Sequence, residues 1–407
     1  MSSIIVILFS GADFNELLLG TYMKGFAGFA ERNWLIFWGS ALFGQLMADS
    51  GVAKVIAYQC VALARKFPGR EKFLAVVSIV ILGGVFTYGG IGVFVLVFTM
   101  VAIAKEVYME LDIPWHMYTC GPLASGVITL TMLPGTPSIQ NILPTEYLGT
   151  TTMAAPVMGI ILSVIALVIG LIYIHYKLKL AEKRGEGFFP SGQGIAESDI
   201  KTEHVQKDFS MILAFTPSIV LFICLNIFNI AAGLSLMITI AVKLLLFYKH
   251  IPDFKSTVQR GTMNGLIAIG GTCAIIGFGS VVAAVPAFQF VISGLEHIPG
   301  PPIIQLIVAI NIAAGITGSS SGGLGIGLEM FGQRFLEQGI PAEVIHRIAS
   351  ISSGGLDSLP HNAAVINALT ITRLGHKQGY FNYFFMTVII PLICVFIGAL
   401  LYELGIW

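Results

Sequence analysis

The groups best able to hold or move a charge lie in Gly354-Gly-Leu-Asp-Ser-Leu-Pro-His-Asn-Ala-Ala-Val-Ile-Asn367, which sets Asp357, Ser358, His361, Asn362 and Asn367 in a very apolar sequence. Asp357 and His361 are expected to form a titratable, proton-carrying pair, because histidine needs only a small shift to change charge near neutral pH. Asn362 and Asn367 each offer a donor and an acceptor, which suits a hydroxylated ligand. Gly354, Gly355 and Pro360 oppose a continuous helix here, glycine being a poor helix former and proline lacking an N–H.

Three further stretches interrupt apolar runs in the same way. They are Thr87-Tyr-Gly-Gly-Ile-Gly92, Pro134-Gly-Thr-Pro-Ser-Ile-Gln-Asn141 and Thr317-Gly-Ser-Ser-Ser-Gly-Gly-Leu-Gly-Ile-Gly327. A half-helix starting at such a break presents free N–H groups and the positive end of its dipole, which favours a carboxylate. The expected ligand is therefore a small organic anion. Its carboxylate would be held at Gly135, Thr136, Ser319, Ser320 and Ser321. Its hydroxyls would be read by Gln140, Asn141, Asn362 and Asn367. A rival reading takes Ser358 and His361 as nucleophile and base, but Pro360 stands between them and no oxyanion partner is marked. Glu329, just after the third break, is an alternative proton carrier. Glu146, Asp49 and His116 read as residues of the membrane boundary, and Arg347 as a snorkelling base there or, as the alternative, an anion attractor near the mouth.

The elements that must position these residues are apolar and helical. Of 407 residues 56% are hydrophobic and 11% charged, against about 25% charged in ordinary soluble domains, and mean hydropathy is +0.86. This is the composition of an all-α, multi-pass membrane protein whose surroundings are a lipid bilayer. The formal net charge of zero suggests no nucleic-acid partner. The five cysteines are scattered through apolar runs, with no spacing for a disulfide framework or a metal site. No cofactor is called for, and the absence of a GxxxxGK[ST] loop argues against ATP-driven pumping by this chain. Ser2 to Ser10 has no basic segment before it and is too short to cross, since a crossing needs about 20 residues; it reads as a first apolar element cut short.

In chain order, Asp13 to Asn33 reads as interfacial and Trp34 to Ala48 as a short crossing. Arg65-Lys-Phe-Pro-Gly-Arg-Glu-Lys72 is a short basic loop, cytoplasmic under the positive-inside rule. Thr152 to Tyr176, Met211 to Phe228, Ala231 to Phe247 and Tyr380 to Tyr402 read as crossings. Pro252 to Val258 reads as amphipathic, and Gly265 to Val291 as a glycine-rich apolar run. Lys177 to Asp208 is the one long hydrophilic segment, with six acids and six bases; it reads as a solvated linker between halves.

The halves match in order. Asp13-Phe14 pairs with Asp253-Phe254, Gly89-Gly90 with Gly322-Gly323, Ile113-Pro114 with Ile340-Pro341, Leu133-Pro134 with Leu359-Pro360, Asn141 with Asn367, and Leu148-Gly149 with Leu374-Gly375. The division expected is a first transmembrane repeat over 1–150, connecting helices over 151–250 including the loop 177–208, a second repeat over 251–376, and a C-terminal helix over 377–407. Paired interruptions in two halves are a sequence pointer to a transport site at the repeat interface.

Met132-Leu-Pro-Gly-Thr-Pro-Ser-Ile-Gln-Asn-Ile-Leu-Pro-Thr145 and Ser353-Gly-Gly-Leu-Asp-Ser-Leu-Pro-His-Asn-Ala-Ala-Val-Ile366 resemble the gluconate–proton symporter family. Ser319 to Gly327 and the helix with His346-Arg347 fit the same resemblance, which runs from about Asp13 to the C-terminus. It implies a proton-driven secondary transporter of small hydroxy-carboxylates, inverted repeats with re-entrant hairpins, and a homodimer, on which the residues themselves are silent. The chain departs from the family in having less hydrophobic sequence before Asp13, and in carrying Tyr88-Gly89-Gly90 where members tend to have an acid in the first break.

Overall fold

A backbone in lipid must satisfy its own N–H and C=O groups, and long apolar runs do so as helices. The computed structural model describes residues 2–407 apart from 12, 89–92, 137, 198–209, 229, 288–289, 291–293 and 295–298. Among the described residues the regular structure is helical, and five helices are long and apolar enough to cross a membrane: Glu71–Tyr88, Pro156–Lys183, Ala232–His250, Phe254–Ala284 and His376–Glu403. The chain is thus an all-α polytopic membrane protein. The break expected at Gly89 to Gly92 lies outside the described residues.

The elements that shape the site are α1 (Met23–Asp49), α2 (Glu71–Tyr88), α3 (Val93–Glu110), α4 (Ile139–Leu148), α5 (Pro156–Lys183), α6 (Ala232–His250), α7 (Phe254–Ala284), α8 (Pro302–Thr317), α9 (Ser320–Glu337), α10 (Ala342–Ser353), α11 (Ala363–Thr372) and α12 (His376–Glu403). A tight turn over Trp115–Cys120 and a wide-turned helix over Leu123–Met132 lead into the second break.

Two boundaries differ from the sequence reading. The interfacial stretch from Met23 onward and the short crossing before Ser50 are one 27-residue helix, α1, about 40 Å long, preceded by a wide-turned helix over Glu16–Tyr22. The amphipathic segment and the glycine-rich one as far as Ala284 are likewise one helix of 31 residues, α7; the end of the glycine-rich run at Val291 lies outside the described residues. The reason is shared. The glycines of α7 serve as contact points, not interruptions: Cβ atoms added at Gly261 and Gly265 would press on the α1 backbone at Leu42 and Trp38. Helices α1 and α7 run antiparallel. Asp49, at the end of α1, meets Thr257 and Arg260 near the start of α7, and Gly25 at the other end lies against Ser280.

The hydrophilic stretches gather at one end of this bundle. Arg65 pairs with Glu110 at 2.8 Å, Lys72 Nζ donates to Asp112 O at 2.9 Å, and Phe188 N donates to Asp112 Oδ1 at 2.8 Å. Helices α8 and α9 form a close hairpin. Gly323 and Gly327 of α9 let it sit on Ala314 and Ile310 of α8. Most glycines of the third interruption are therefore helical, and the break shrinks to Gly318-Ser319, with Gly318 in the left-handed region at φ 60°.

Candidate functional site

The second break opens where Leu133 turns extended and Gly135 takes φ 79°, a conformation that favours glycine. Gly135 N donates to Thr152 O at 2.9 Å, Thr136 Oγ1 to Leu133 O at 3.2 Å, and Ser138 Oγ to Leu130 O at 2.6 Å. The helix resumes at Ile139, so Gln140 and Asn141 stand in the first turn of α4. Tyr88, the last residue of α2, brings its hydroxyl to 3.7 Å from where a Cβ on Gly135 would lie.

Asn141 is buried, with all four of its hydrogen-bonding positions taken by protein. Nδ2 donates to Thr136 O at 3.0 Å and Thr152 O at 2.9 Å, while Oδ1 accepts from His346 Nε2 at 3.0 Å and Arg347 Nη1 at 3.1 Å. Because Oδ1 can only accept, His346 carries its proton on Nε2, and Nδ1 accepts from Thr150 Oγ1 at 2.7 Å.

Arg347 is not a boundary residue. Its relative exposure is 0%, and it sits in α10 with its guanidinium spread over backbone. Nε and Nη2 donate to Ala154 O at 3.2 and 2.8 Å, Nη2 also to Thr152 O at 3.3 Å, and Nη1 to Thr131 O at 3.3 Å as well as to Asn141. Five N–H donors in a rigid fork can satisfy several carbonyls freed by a helix break. A snorkelling reading missed this because it weighed charge alone. The available signal was position: Arg347 is only seven residues from the Gly354 break, on a short helix between Pro341 and Gly354.

The third break meets the second. Ser319 caps α9 by accepting from Gly322 N at 3.2 Å, with Ser321 Oγ 3.4 Å from Ser319 Oγ. Gln140 Nε2 donates to Ser320 Oγ at 2.6 Å, and Ser350 Oγ of α10 donates to Gln140 O at 2.8 Å. The first turns of α4 and α9 are thus joined side chain to side chain.

The fourth break meets the third. Asn362 caps α11 by accepting from Val365 N at 3.0 Å, and its Nδ2 donates to Gly318 O at 2.8 Å. His361 Nε2 donates to Gly315 O at 3.1 Å. Asn311, inside α8 and buried, accepts from Leu356 N at 3.2 Å and so anchors this break. The sequence reading passed over it because it stands alone in an apolar run.

Ser358 Oγ donates to Asp357 Oδ1 at 2.8 Å, and Tyr380 Oη donates to Ser358 O at 3.1 Å. Among the described residues no hydrogen bond or ion pair joins Asp357 to His361. The turn at Leu359-Pro360 sends Asp357 towards α12 and His361 towards α8, so neither a direct Asp–His pair nor a Ser358–His361 dyad is assembled. Glu329 is exposed.

Asn367 stands apart. It is helical, 3% exposed, and neither end of its amide has a protein partner among the described residues. It lines a cavity of 40 Å³ with Thr119, Ser125, Thr372 and Tyr383, large enough for water.

The geometry therefore brings Gln140, Ser319, Ser320, Ser321, His361 and Asn362 into one linked group at three breaks. It places Gly135, Thr136 and Asn141 in the adjoining Arg347 network, and Asn367 in a separate cavity. Two helix N-termini and a set of hydroxyls can hold a carboxylate without a metal or a fixed cation.

No protein-family model matches the sequence. An uncharacterized transporter of Bacillus subtilis (strain 168), YxjC, is 34% identical over 412 aligned residues, which cover 90% of this chain and 86% of the relative.

Proposed function

The chain belongs to the family of the Bacillus subtilis transporter YxjC, and from that premise we propose that this membrane transporter is a proton-coupled symporter of a small hydroxylated carboxylate such as gluconate, in the cytoplasmic membrane. The observation that carries the reading is the 2.6 Å bond from Gln140 to Ser320. It holds the N-terminal turns of two half-helices, 180 positions apart in sequence, against one another at broken segments of both halves. Two positive helix ends facing one locus favour a negative ligand there, and the surrounding amide and hydroxyls suit its hydroxyl groups.

Several features support a pair of inverted repeats moving about this locus. Helices α1 and α7 begin the two halves and pack antiparallel. In the first half α2 and α3 precede a broken crossing that ends in α4, and in the second α8 and α9 precede one that ends in α11. The packing is reciprocal, α4 on α9 and α3 on α11. The basic loop at Arg65 to Lys72 supports placing the hydrophilic end in the cytoplasm.

Asp357 is the proton carrier in this reading. It is an acid at the fourth break, held by the hydroxyl and the backbone N–H of Ser358, and because a charge at membrane depth is expensive an ionisable side chain there is a functional candidate by default. His361 acts beside it by holding the α8 end through Gly315.

The test is competition in proteoliposomes. Uptake of labelled gluconate driven by an acid exterior should be inhibited by other hydroxy-carboxylates and not by glucose. Equal inhibition by glucose, or by carboxylates without hydroxyls, would remove the hydroxyl-reading role from Gln140 and Asn362.

A further inference from the structure

Asn367 of α11 is buried at the wall of a 40 Å³ cavity, and among the described residues neither its amide donor nor its acceptor has a protein partner. A second buried polar group stands in the same wall. Tyr383 of α12 is 5% exposed, and among the described residues no hydrogen bond is made by its hydroxyl. Three more hydroxyls line the cavity and donate within their own turns: Thr119 to His116 O at 2.7 Å, Ser125 to Gly121 O at 3.5 Å and Thr372 to Ala368 O at 2.7 Å. Each of those oxygens can still accept. A buried water takes roughly two to four polar partners, and the cavity has room for about one water. The remaining wall is apolar, with Ile79, Leu96 and Met100, and confines a water to the polar groups.

The position of the cavity gives such a water a use. Tyr380, one turn before Tyr383 on α12 and on the same face, donates Oη to Ser358 O at 3.1 Å, and Ser358 Oγ donates to Asp357 Oδ1 at 2.8 Å. Tyr383 itself interacts electrostatically with Asp357. On the opposite side, His116 O accepts from Thr119 Oγ1 and also from Asn382 Nδ2 at 3.3 Å. His116 and Asn382 line a larger cavity, of 510 Å³, with Lys177 and Glu186 at the hydrophilic end of the bundle. The turn Trp115–Cys120 and the adjacent residues Asn382 and Tyr383 therefore separate the two cavities. We propose that a water held by Asn367 and Tyr383 relays protons between Asp357 and the hydrophilic end. The inference rests on the proton-carrier role given to Asp357 above. On release, the Asp357 proton passes to the Tyr383 oxygen as Tyr383 gives its own proton to the water, and the water gives one on past Thr119 to the larger cavity. Asp357 is left as the carboxylate, and Tyr383 and the water end as neutral as they began.

Radiolytic labelling of the full chain in detergent reports the water without transport, because hydroxyl radicals form from water ordered beside buried side chains. Met100, in the cavity wall, should be oxidised faster than Met47 and Met158, which are buried elsewhere, and Asn367→Leu should lose the difference. Oxidation of Met100 no faster than that of Met158 in the wild type would overturn the proposal. In proteoliposomes, Tyr383→Phe and Asn367→Leu should each lower the maximal rate of acid-driven gluconate uptake roughly tenfold, the scale of one lost hydrogen bond, with KM unchanged. Exchange of internal for external gluconate at equal pH needs no net proton movement and should keep its wild-type rate. Tyr383→Phe, which removes a single oxygen, carries the test if Asn367→Leu does not fold. Variants slowed equally in both assays would have a structural role only, and variants slowed in neither would send the proton by another route; either result overturns the relay and leaves symport standing. No acid-driven accumulation by the wild type would remove symport and the relay together.

Discussion

Gln140 Nε2 and Ser320 Oγ lie 2.6 Å apart, joining the first turn of α4 to the first turn of α9. If this contact closes the site around a carboxylate, the two residues are energetically coupled. Gln140→Leu and Ser320→Ala should each raise KM for the transported acid roughly tenfold, the scale of about 1.4 kcal/mol for a hydrogen bond to a charged ligand. The double variant should fall short of the product of the two effects. Strict multiplication in a double-mutant cycle would show that the residues act separately.

Two buried cations give opposite stability expectations. Arg347 makes five bonds to carbonyl oxygens and Asn141, so Arg347→Met strands those acceptors and should cost about 3–5 kcal/mol. Lys243 of α6 has 0% relative exposure, yet among the described residues its polar contacts are one 3.4 Å bond to Phe43 O and the Phe43 ring at 4.2 Å. Lys243→Met should be neutral or stabilising by about 1 kcal/mol. Thermal unfolding in detergent separates the two, and a large loss in Lys243→Met would mean that its charge is structurally required.

The hairpin of α8 and α9 depends on backbone contact at glycine. A Cβ at Gly323 would overlap the Ala314 backbone, whereas Gly271 in α7 has nothing within 4 Å. Gly323→Ala should therefore destabilise by about 1–3 kcal/mol through overpacking. Gly271→Ala should stabilise by roughly 0.5–1 kcal/mol through helix propensity. Equal melting temperatures for the two variants would contradict this packing.

Asp357 is accessible to a charge-neutral replacement that keeps its shape. Asp357→Asn should retain substrate exchange down a concentration gradient and lose accumulation driven by an acid exterior. With the proton carrier removed, uptake rates should also lose their dependence on external pH. A variant that still concentrates substrate with an unchanged pH profile would pass the coupling role to another group.

The sequence was most legible where composition and breakers act locally. Apolar runs marked the helices, and Pro134, Gly318 and Pro360 marked real interruptions. Glycine misled where its purpose was contact: Gly322 to Gly327 read as part of a break and are helical, with Gly323 and Gly327 packing α9 on α8. Long-range pairing was not legible. Nothing local tells that Asn141 is saturated by His346 and Arg347 while Asn367, which the ordered sequence matches set against it, has no protein partner among the described residues. The difference comes from a helix some 205 positions away, a tertiary relation that local pattern does not encode. Asp357 and His361 were expected to pair because both can titrate and they stand four positions apart, but the turn at Pro360 separates them.

The most direct measurement is accumulation of labelled gluconate in proteoliposomes with an acid exterior, repeated with a protonophore present. Proton-coupled symport predicts saturable uptake above equilibrium that the protonophore collapses to equilibration. Uptake that reaches equilibrium and no further with the gradient intact would contradict proton-coupled symport, and would leave an uncoupled carrier of organic anions.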